Sequence, residues 1–347
     1  MKFNILNIVR DSIKGIKPYS SARDEFSGNA DVYLDANENP YATKVNRYPD
    51  PMQVELKTVI AKIHDIALDE LFLGNGSDEV IDLCYRAFCE PGKDRVVAIS
   101  PSYGMYAVSA EINNVQLDHF LLSNDFSLDV ERLIDYAQGA KFIFLCSPNN
   151  PTGNTIPKTD IVAICRAFNG LVILDEAYID FSTEASLIPL INQFSNLLIC
   201  QTFSKAYGMA GIRLGKAFGD KSIIAWLNKI KPPYNLGTLT IDFALNALKN
   251  TTHFEIQKEE IMRERINMFD FLSNCPAILK AFPSEANFIL VRVENANDLY
   301  AKMMKKGIIV RNRSNQPLCE NCLRITIGTP QENESVKEFL KSQLEHA

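Results

Sequence analysis

Short apolar segments alternate with amphipathic ones up to about residue 250, and this alternation limits the folds that the chain can adopt. Four short apolar or β-branched runs predict strands, at residues 96–99, 142–146, 172–174 and 197–201. Apolar residues at helical spacing predict helices around them, at residues 80–88, 105–112, 128–136 and 161–168. Strands that alternate with helices predict an α/β fold, in which helices cover both faces of a largely parallel sheet.

The pattern changes after about residue 250, where a long polar stretch at 254–272 predicts a helix that leads into a smaller domain. The stretch up to about Pro51 is rich in Asn, Asp, Pro and Tyr, and it predicts an irregular arm. We therefore divide the chain into an arm with part of the small domain (1–45), a large domain (46–250) and a small α+β domain (251–347). In the small domain we predict strands at 287–291, 308–310 and 323–327, and helices near 299–306 and from about Glu332.

The composition excludes several classes of protein. The 347 residues carry a formal net charge of -6 without an offsetting basic stripe, so nucleic acid is not expected as the main partner. No apolar run approaches the roughly 20 residues that a membrane-spanning helix needs, and Asn4, Asn7 and Arg10 interrupt the apolar N-terminus, unlike a signal peptide. We therefore expect a cytoplasmic protein that binds small molecules.

The eight cysteines fit a reducing compartment. Cys319 and Cys322 form a single C-x-x-C pair with neither a second pair nor a nearby His, and zinc would need two more ligands. We therefore favour a structural role for this pair over a metal or redox role, and we expect no metal site.

A lysine in a hydroxyl- and glycine-rich loop gives the strongest chemical signal. Lys205 lies just after the predicted strand at 197–201, in the segment T-F-S-K-A-Y-G-M-A-G-I-R. Lysine is the side chain that forms Schiff bases, and pyridoxal phosphate (PLP) is the cofactor that needs one. Thr202, Ser204 and Arg213 are close enough in sequence to hold its phosphate. Taken alone, the segment could equally be a solvated loop.

Other groups that PLP requires follow the predicted strands, where ligands bind in open parallel sheets. Asp175 could pair with the pyridine nitrogen, although an Asp at this position could instead cap the next segment. Tyr178 could donate to the phenolic oxygen, and Tyr103 could lie against the ring. Ser77 and Asp78 begin a predicted helix after a glycine-rich turn, so they could bind phosphate through backbone N–H groups or be ordinary N-caps.

The joint order and spacing of these motifs resemble the fold-type I PLP-dependent aminotransferases, and among them the histidinol-phosphate branch. The resemblance covers residues from about 15 to 330. Its motifs are L-D-A-N-E-N-P at 34–40, Y-P-D at 48–50, G-S-D-E at 76–79, P-x-Y-G-M-Y at 101–106, S-P-N-N-P-T-G at 147–153, D-E-A-Y at 175–178, the lysine segment, and L-R-I-T-I-G at 323–328.

The resemblance implies a role for each matching residue. Lys205 would link to PLP and then, once released by the substrate amine, act as the base that moves the substrate Cα proton. Asp175 would pair with the pyridine nitrogen, Tyr178 and Asn150 would hydrogen-bond the phenolic oxygen, and Tyr103 would stack on the ring. Tyr48 would reach the phosphate of the neighbouring subunit's cofactor, which implies a homodimer with shared sites. The phosphate would be held by Ser77, Asp78, Thr202, Ser204 and Arg213.

The substrate must be inferred separately, because a fold does not fix it. The resemblance implies that Arg324 clamps a carboxylate with a two-pronged hydrogen bond and that Arg311 assists at the anionic end. Tyr19 and Asn37 match arm residues that close over the substrate. Arg313 would share the strand face of Arg311 if the strand continues, but motif position favours Arg311.

The reaction implied by the resemblance is reversible amino transfer from L-histidinol phosphate to 2-oxoglutarate in histidine biosynthesis. Its products would be imidazole-acetol phosphate and L-glutamate. Two alternatives remain open from the residues, an aromatic or broad-specificity aminotransferase and a threonine-phosphate decarboxylase.

Overall fold

The computed structural model describes residues 3–17 and 30–344, and its larger part is built on a seven-stranded sheet. The spatial order is β1-β7-β6-β5-β4-β2-β3; strands β2 to β6 run parallel, and β7 is antiparallel to both of its neighbours. The predicted α/β fold with a largely parallel sheet is therefore confirmed. The strands are β1 (Leu71–Asn75), β2 (Arg95–Ser100), β3 (Gln116–Leu121), β4 (Phe142–Cys146), β5 (Leu171–Asp175), β6 (Leu197–Thr202) and β7 (Leu214–Gly219).

Helices cover both faces of this sheet. Along β4, Phe142 and Phe144 pack in a core with α3 and α7, whereas Ile143 and Leu145 pack in a second core with α2 and α6. Every residue of β4, β5 and β6 is buried, as expected for parallel strands covered on two sides. The helices of this part are α1 (Asp11–Lys14), α2 (Val54–His64), α3 (Ser77–Phe88), α4 (Met105–Ile112), α5 (Val130–Tyr136), α6 (Lys158–Ala167), α7 (Lys221–Ile230) and α8 (Thr238–Leu248).

The N-terminal stretch is more ordered than its composition predicts. Ile5, Ile8, Val9 and Ile13 are buried in the same core as α3, and the short helix α1 lies among them. The stretch from 30 to 53 contains neither helix nor strand and agrees with the irregular arm that we predicted. In the described ranges, no helix is both long and apolar enough to cross a membrane.

A second sheet, antiparallel and in the order β10-β11-β9-β8, forms the C-terminal part. Along β9 and β11, Ile289 and Ile325 point into a core with the C-terminal helices, whereas Leu290 and Cys322 pack with the core of the large sheet. One face of the small sheet is therefore directed at the large domain. The elements are α9 (Thr252–Asn274), β8 (Lys280–Ala281), β9 (Phe288–Arg292), α10 (Ala296–Lys305), β10 (Arg311–Asn312), β11 (Cys322–Thr326) and α11 (Pro330–Leu344).

The strand predicted at 308–310 is wrong, because pairing begins one residue later. Arg311 lies opposite Arg324 in the β10–β11 ladder. Ile308 and Val310 instead pack against the small-domain core without joining a strand. The apolar pattern there reflects burial beneath α10 rather than β pairing.

Candidate active site

The carboxyl ends of β5 and β6 border a cleft of about 130 Å³. All the residues that were predicted to contact PLP from within one subunit line it, although they come from segments far apart in sequence. Whatever the role of each one, the chain therefore brings these side chains to one place. The lining residues are Ser77, Asp78, Tyr103, Cys146, Asn150, Asp175, Ala177, Tyr178, Thr202, Ser204, Lys205, Ala210 and Arg213.

Asp175, the last residue of β5, is a buried carboxylate with two hydrogen bonds. Its Oδ2 accepts from the Tyr106 hydroxyl at 2.7 Å, and its Oδ1 accepts from the backbone N–H of Ala177 at 3.0 Å. Burial raises the pKa of this carboxyl, and the two hydrogen bonds oppose the rise. Asp175 does not cap the short helix Ile179–Phe181, whose N-cap is Tyr178. A buried carboxylate in this setting suits a cationic partner such as a protonated pyridine nitrogen.

Tyr106 is the site residue to which sequence reasoning assigned no role. It is 1% exposed, and its ring stacks on Phe144 with 4.3 Å between centroids, which holds its hydroxyl on Asp175. The signal in the sequence is a tyrosine one turn after Tyr103, at the start of the predicted helix at 105–112. Only the packing of that helix on β4, seen in the structure, shows that the Tyr106 hydroxyl reaches Asp175 at the end of β5.

Lys205 lies in the loop after β6, with its Nζ 5.5 Å from the centroid of the Tyr178 ring. The side chain lines the cleft and is exposed to its water. Desolvation by the walls of the cleft lowers the pKa of the Lys205 amine, the nearby Arg324 adds to the effect, and Asp175 opposes it. A lowered pKa increases the neutral fraction of the amine, which is the form that attacks an aldehyde.

The turn between β1 and α3 forms an anion-binding end of the cleft. Ser77 and Asp78 are the first residues of α3 and neither caps it, because the N-cap is Gly76 with φ of 76°. The first N–H groups of this 12-residue helix are therefore free of side-chain caps and are available to an anion. Gly215 of β7 permits the arrangement, since a Cβ there would lie 2.3 Å from the backbone nitrogen of Ser77.

Two side chains hold the Asp78 carboxylate beside this turn. The Tyr103 hydroxyl donates to Oδ1 at 3.0 Å, and Arg213 Nη2 lies 3.4 Å from Oδ2. Thr202 and Ser204 are linked through their hydroxyl groups at 3.0 Å on the same side of the cleft. Hydroxyl, guanidinium and helix N–H donors are the groups that bind a phosphate. The PLP that the sequence predicts thus fits both ends of the cleft, a carboxylate for its ring nitrogen and donors for its phosphate.

A chain of hydrogen bonds connects the small sheet to the cleft. Asn150 Nδ2 donates to the Tyr178 hydroxyl at 3.3 Å, and Arg324 Nη1 of β11 donates to Asn150 Oδ1 at 2.6 Å. The Arg324 guanidinium also lies 5.1 Å from the centroid of the Phe288 ring. Burial raises the pKa of the Tyr178 hydroxyl, so it stays protonated and can donate to an anionic oxygen.

Arg311 and Arg324 face each other across the β10–β11 ladder. Like charges directly opposite on a sheet repel, and neither arginine pairs with a carboxylate of the described residues. Arg324 Nε is buried without a hydrogen-bond partner within those residues, and burial lowers the pKa of its guanidinium. Two cations held together without an acid indicate an anion-binding site.

Besides Arg311 and Arg324, two other predicted residues, Tyr48 and Asn37, do not line the cleft. Tyr48 is half-exposed, and its ring stacks on Tyr234 with 4.4 Å between centroids. Asn37 is exposed with φ of 54°. Tyr19 lies outside the described residues. The roles expected of these residues stay predictions.

Cys319 and Cys322 are both buried. In the part of the chain that the structure describes, no group of three or more His, Cys, Asp or Glu residues is placed to hold a metal ion.

Comparisons with known proteins agree on one family. The family model "Aminotransferase class I and II" matches residues 29–340. A histidinol-phosphate aminotransferase from Flavobacterium psychrophilum is 51% identical over 344 residues, covering 98% of this chain and 99% of that protein.

Solved structures share the fold. The histidinol-phosphate aminotransferase from Clostridium acetobutylicum superposes with a TM-score of 0.82 at 27% identity, covering 88% of this chain and 92% of that chain. The histidinol-phosphate aminotransferase from Sinorhizobium meliloti, solved in complex with pyridoxal-5'-phosphate, gives a TM-score of 0.79 at 24% identity, covering 86% and 84%. The predicted fold type I is thereby confirmed.

Proposed function

The chain belongs to the aminotransferase class I and II family, and from this premise we propose that it transfers the amino group of L-histidinol phosphate to 2-oxoglutarate. The products are imidazole-acetol phosphate and L-glutamate, in histidine biosynthesis. That the protein is a PLP-dependent aminotransferase follows from the family itself. The choice of substrate is our proposal, supported by the relatives' shared name and by the arginines of the small sheet.

The observation that carries the substrate proposal is the Arg311–Arg324 pair, which has no acidic partner among the described residues. L-Histidinol phosphate has a phosphate and no carboxylate, whereas 2-oxoglutarate has two carboxylates. One site must therefore bind both kinds of anion in alternate half-reactions. The planar guanidinium fork suits either of them.

When bound, PLP supplies an aldehyde that links to amines and a ring that accepts electrons. In the proposed roles, Asp175 keeps the ring nitrogen protonated, and Tyr178 and Asn150 donate to the phenolic oxygen. Lys205, whose pKa is lowered, is the base that takes the proton from the substrate Cα and returns it to the cofactor. Tyr103 covers the ring, and the turn at Ser77 binds the phosphate.

We further propose a cytoplasmic homodimer. Tyr48 and its neighbours in the arm line a surface groove together with the start of helix α8. Both segments expose large apolar side chains there. Val45, Tyr48 and Leu239 all line this groove and are 49%, 50% and 73% exposed, and an exposed apolar patch of this kind marks an interaction surface. A second copy covering this patch would bring Tyr48 to the phosphate of the partner's cofactor.

A half-reaction screen tests the proposal. The PLP-loaded protein is mixed separately with histidinol phosphate, phenylalanine and threonine phosphate, and the loss of the cofactor's visible absorption is followed. We expect fast transamination of histidinol phosphate, slow reaction with phenylalanine and no carbon dioxide from threonine phosphate. Equal rates with phenylalanine would favour a broad-specificity enzyme, and carbon dioxide release would favour a decarboxylase.

Lys205→Ala is the matched control for this screen. The variant should lose about two to four decades of rate, the usual contribution of a positioned general base, and more if the covalent link also matters. Borohydride should fix the cofactor to Lys205 in the parent protein and leave the variant unlabelled. A parent protein that takes up no PLP would contradict the whole proposal.

A further inference from the structure

Arg313 is a third arginine on the face of the small sheet that carries Arg311 and Arg324. Its backbone N–H donates to the carbonyl of Cys322 at 2.9 Å, which extends the β10–β11 ladder by one residue. Side chains alternate between the two faces of a strand, so Arg311 and Arg313 share one face and Asn312 takes the other.

This face is directed at the large domain. Leu290 and Cys322, which alternate onto the same side as Arg324, pack with the core of the large sheet. Leu323 and Ile325, on the opposite side, pack with the helices of the small domain. Arg313 and Arg324, which are partly buried, are therefore directed at the large domain, and Arg324 reaches Asn150 of the cleft; Arg311 lies on the same face but is exposed.

Arg313 has no counter-ion among the described residues. Its side chain is half-buried, and its Nε is buried without a hydrogen-bond partner in those ranges. Burial together with Arg324 and Arg311 lowers the pKa of its guanidinium to about 10, and the nearby Tyr178 and Cys319 act in the opposite direction. A partly desolvated guanidinium beside two others is unfavourable unless an anion joins them.

The charge of the anion follows from the number of arginines. Arg324 alone can hold a carboxylate through its fork, as the proposed function requires for 2-oxoglutarate. A phosphate monoester carries a charge of about -1.5 to -2 at pH 7 and three acceptor oxygens, so it can engage more guanidinium groups than a carboxylate can. Phenylalanine has an aromatic side chain, as histidinol phosphate does, but it offers a carboxylate of single charge where histidinol phosphate has its phosphate.

We propose that Arg313 is a specificity-determining residue, which acts with Arg311 and Arg324 to select a substrate with a phosphate dianion over one, such as phenylalanine, with a carboxylate at the same end. This inference rests on the proposed function and deepens it. Arg313 contacts the phosphate end of the substrate and takes no part in moving the Cα proton.

Arg313→Gln tests the inference in the PLP-loaded protein. The KM for histidinol phosphate should rise about 10- to 100-fold, the usual effect of losing a hydrogen bond to a charged group, with kcat little changed. The KM for phenylalanine should stay within about threefold. Arg313→Lys keeps the charge but loses the fork, so its KM for histidinol phosphate should lie between those of the parent and Arg313→Gln.

A pH profile separates recognition of a dianion from a general structural effect. The second phosphate pKa is about 6, so the ratio of parent to Arg313→Gln kcat/KM for histidinol phosphate should fall toward one as the pH drops below 6. The control is Arg263→Gln, which removes one positive charge from the exposed surface of α9. It should leave every constant unchanged.

The outcomes separate the inference from the proposed function. If the parent protein fails to transaminate histidinol phosphate but accepts phenylalanine, the proposed function is wrong. If the parent accepts histidinol phosphate and Arg313→Gln weakens both substrates equally, weakens neither, or leaves the pH ratio flat, the inference is wrong. If Arg313→Gln fails to bind PLP, Arg313→Lys decides, and a KM equal to that of the parent for all substrates refutes recognition by the fork.

Discussion

Replacing Tyr106 by Phe tests how the protein keeps Asp175 charged. The hydroxyl of Tyr106 donates to Asp175 Oδ2 at 2.7 Å, and the exposed fractions of the two residues are 1% and 3%. Burial raises the pKa of the Asp175 carboxyl, and this hydrogen bond opposes the rise. The variant keeps the ring that stacks on Phe144, so the change is confined to one hydrogen bond.

The expected magnitude follows from the charge of the acceptor. A hydrogen bond to a charged group contributes about 1.5–3 kcal/mol, and each 1.4 kcal/mol is about tenfold in a binding constant. The bond from the backbone N–H of Ala177, at 3.0 Å, remains in the variant. We therefore expect Tyr106→Phe to bind PLP about 10- to 150-fold more weakly, because the Asp175 anion that pairs with the ring nitrogen is less stable.

The measurement is the dissociation constant of PLP, by equilibrium dialysis of protein freed of cofactor. The matched control is Tyr85→Phe, which also removes a buried hydroxyl, one that donates to the backbone carbonyl of Tyr106 at 2.8 Å and not to Asp175. It should lose stability but keep its affinity for PLP. If Tyr106→Phe binds PLP within twofold of the parent, the charge of Asp175 does not depend on this hydroxyl and the reasoning is refuted.

Two further predictions concern β7. Lys216 is buried with its Nζ 3.1 Å from His64 Nε2, and burial lowers its pKa from 10.5 to about 8. A lysine with a lowered folded-state pKa costs stability below pH 8, and this cost disappears as the pH rises to 10.5. In denaturant titrations, the stability of Lys216→Met relative to the parent should therefore drop by about 3 kcal/mol between pH 7 and 10.5; a constant difference would contradict the assignment. Gly215→Ala places a Cβ 2.3 Å from the Ser77 backbone nitrogen, so the affinity for PLP should fall at least about tenfold, the effect of losing one or two phosphate contacts. Gly15→Ala, where the Cβ meets nothing within 4 Å, is its control, and equal effects of the two would count against the phosphate turn.

The strands of the central sheet could be predicted from sequence where both faces are buried. The predicted bounds of β4 are those observed, those of β5 differ by one residue at each end, and those of β6 differ by one residue at the C-terminal end, because each contains a continuous apolar run. The four predicted strands of this sheet do not include β1, β3 or β7. The edge strand β3 has the sequence Q-L-D-H-F-L and buries only Phe120, and β7 contains two glycines and the buried Lys216, so neither has the residue pattern of a buried strand.

The part of the cleft at the ends of β5 and β6 could be predicted, since its residues follow strands of one sheet. Asp175 is the last residue of β5, and Tyr178 and Lys205 each lie three residues beyond the end of β5 or β6, so the parallel arrangement alone brings them together. Tyr106 and Arg313 could not be assigned in this way. Their positions depend on how α4 packs on β4 and on where β10 pairs with β11, and both are set by contacts between segments that are distant in sequence.

Some buried polar groups near the cleft cost folding free energy when no ligand is bound, and these groups indicate which ligands the cleft binds. Asp175 is a buried carboxylate without an ion pair among the described residues, and the Nε atoms of Arg313 and Arg324 are buried without hydrogen bonds there. A buried charge without an ion pair is unfavourable, and an unsatisfied buried polar atom costs about 1–3 kcal/mol, so selection for stability alone would replace these residues. A cationic ring nitrogen removes the first cost and an anion removes the second. The cofactor and the substrate anion contact different side chains, and both bind only the folded chain. Each therefore stabilises the folded protein independently of the other.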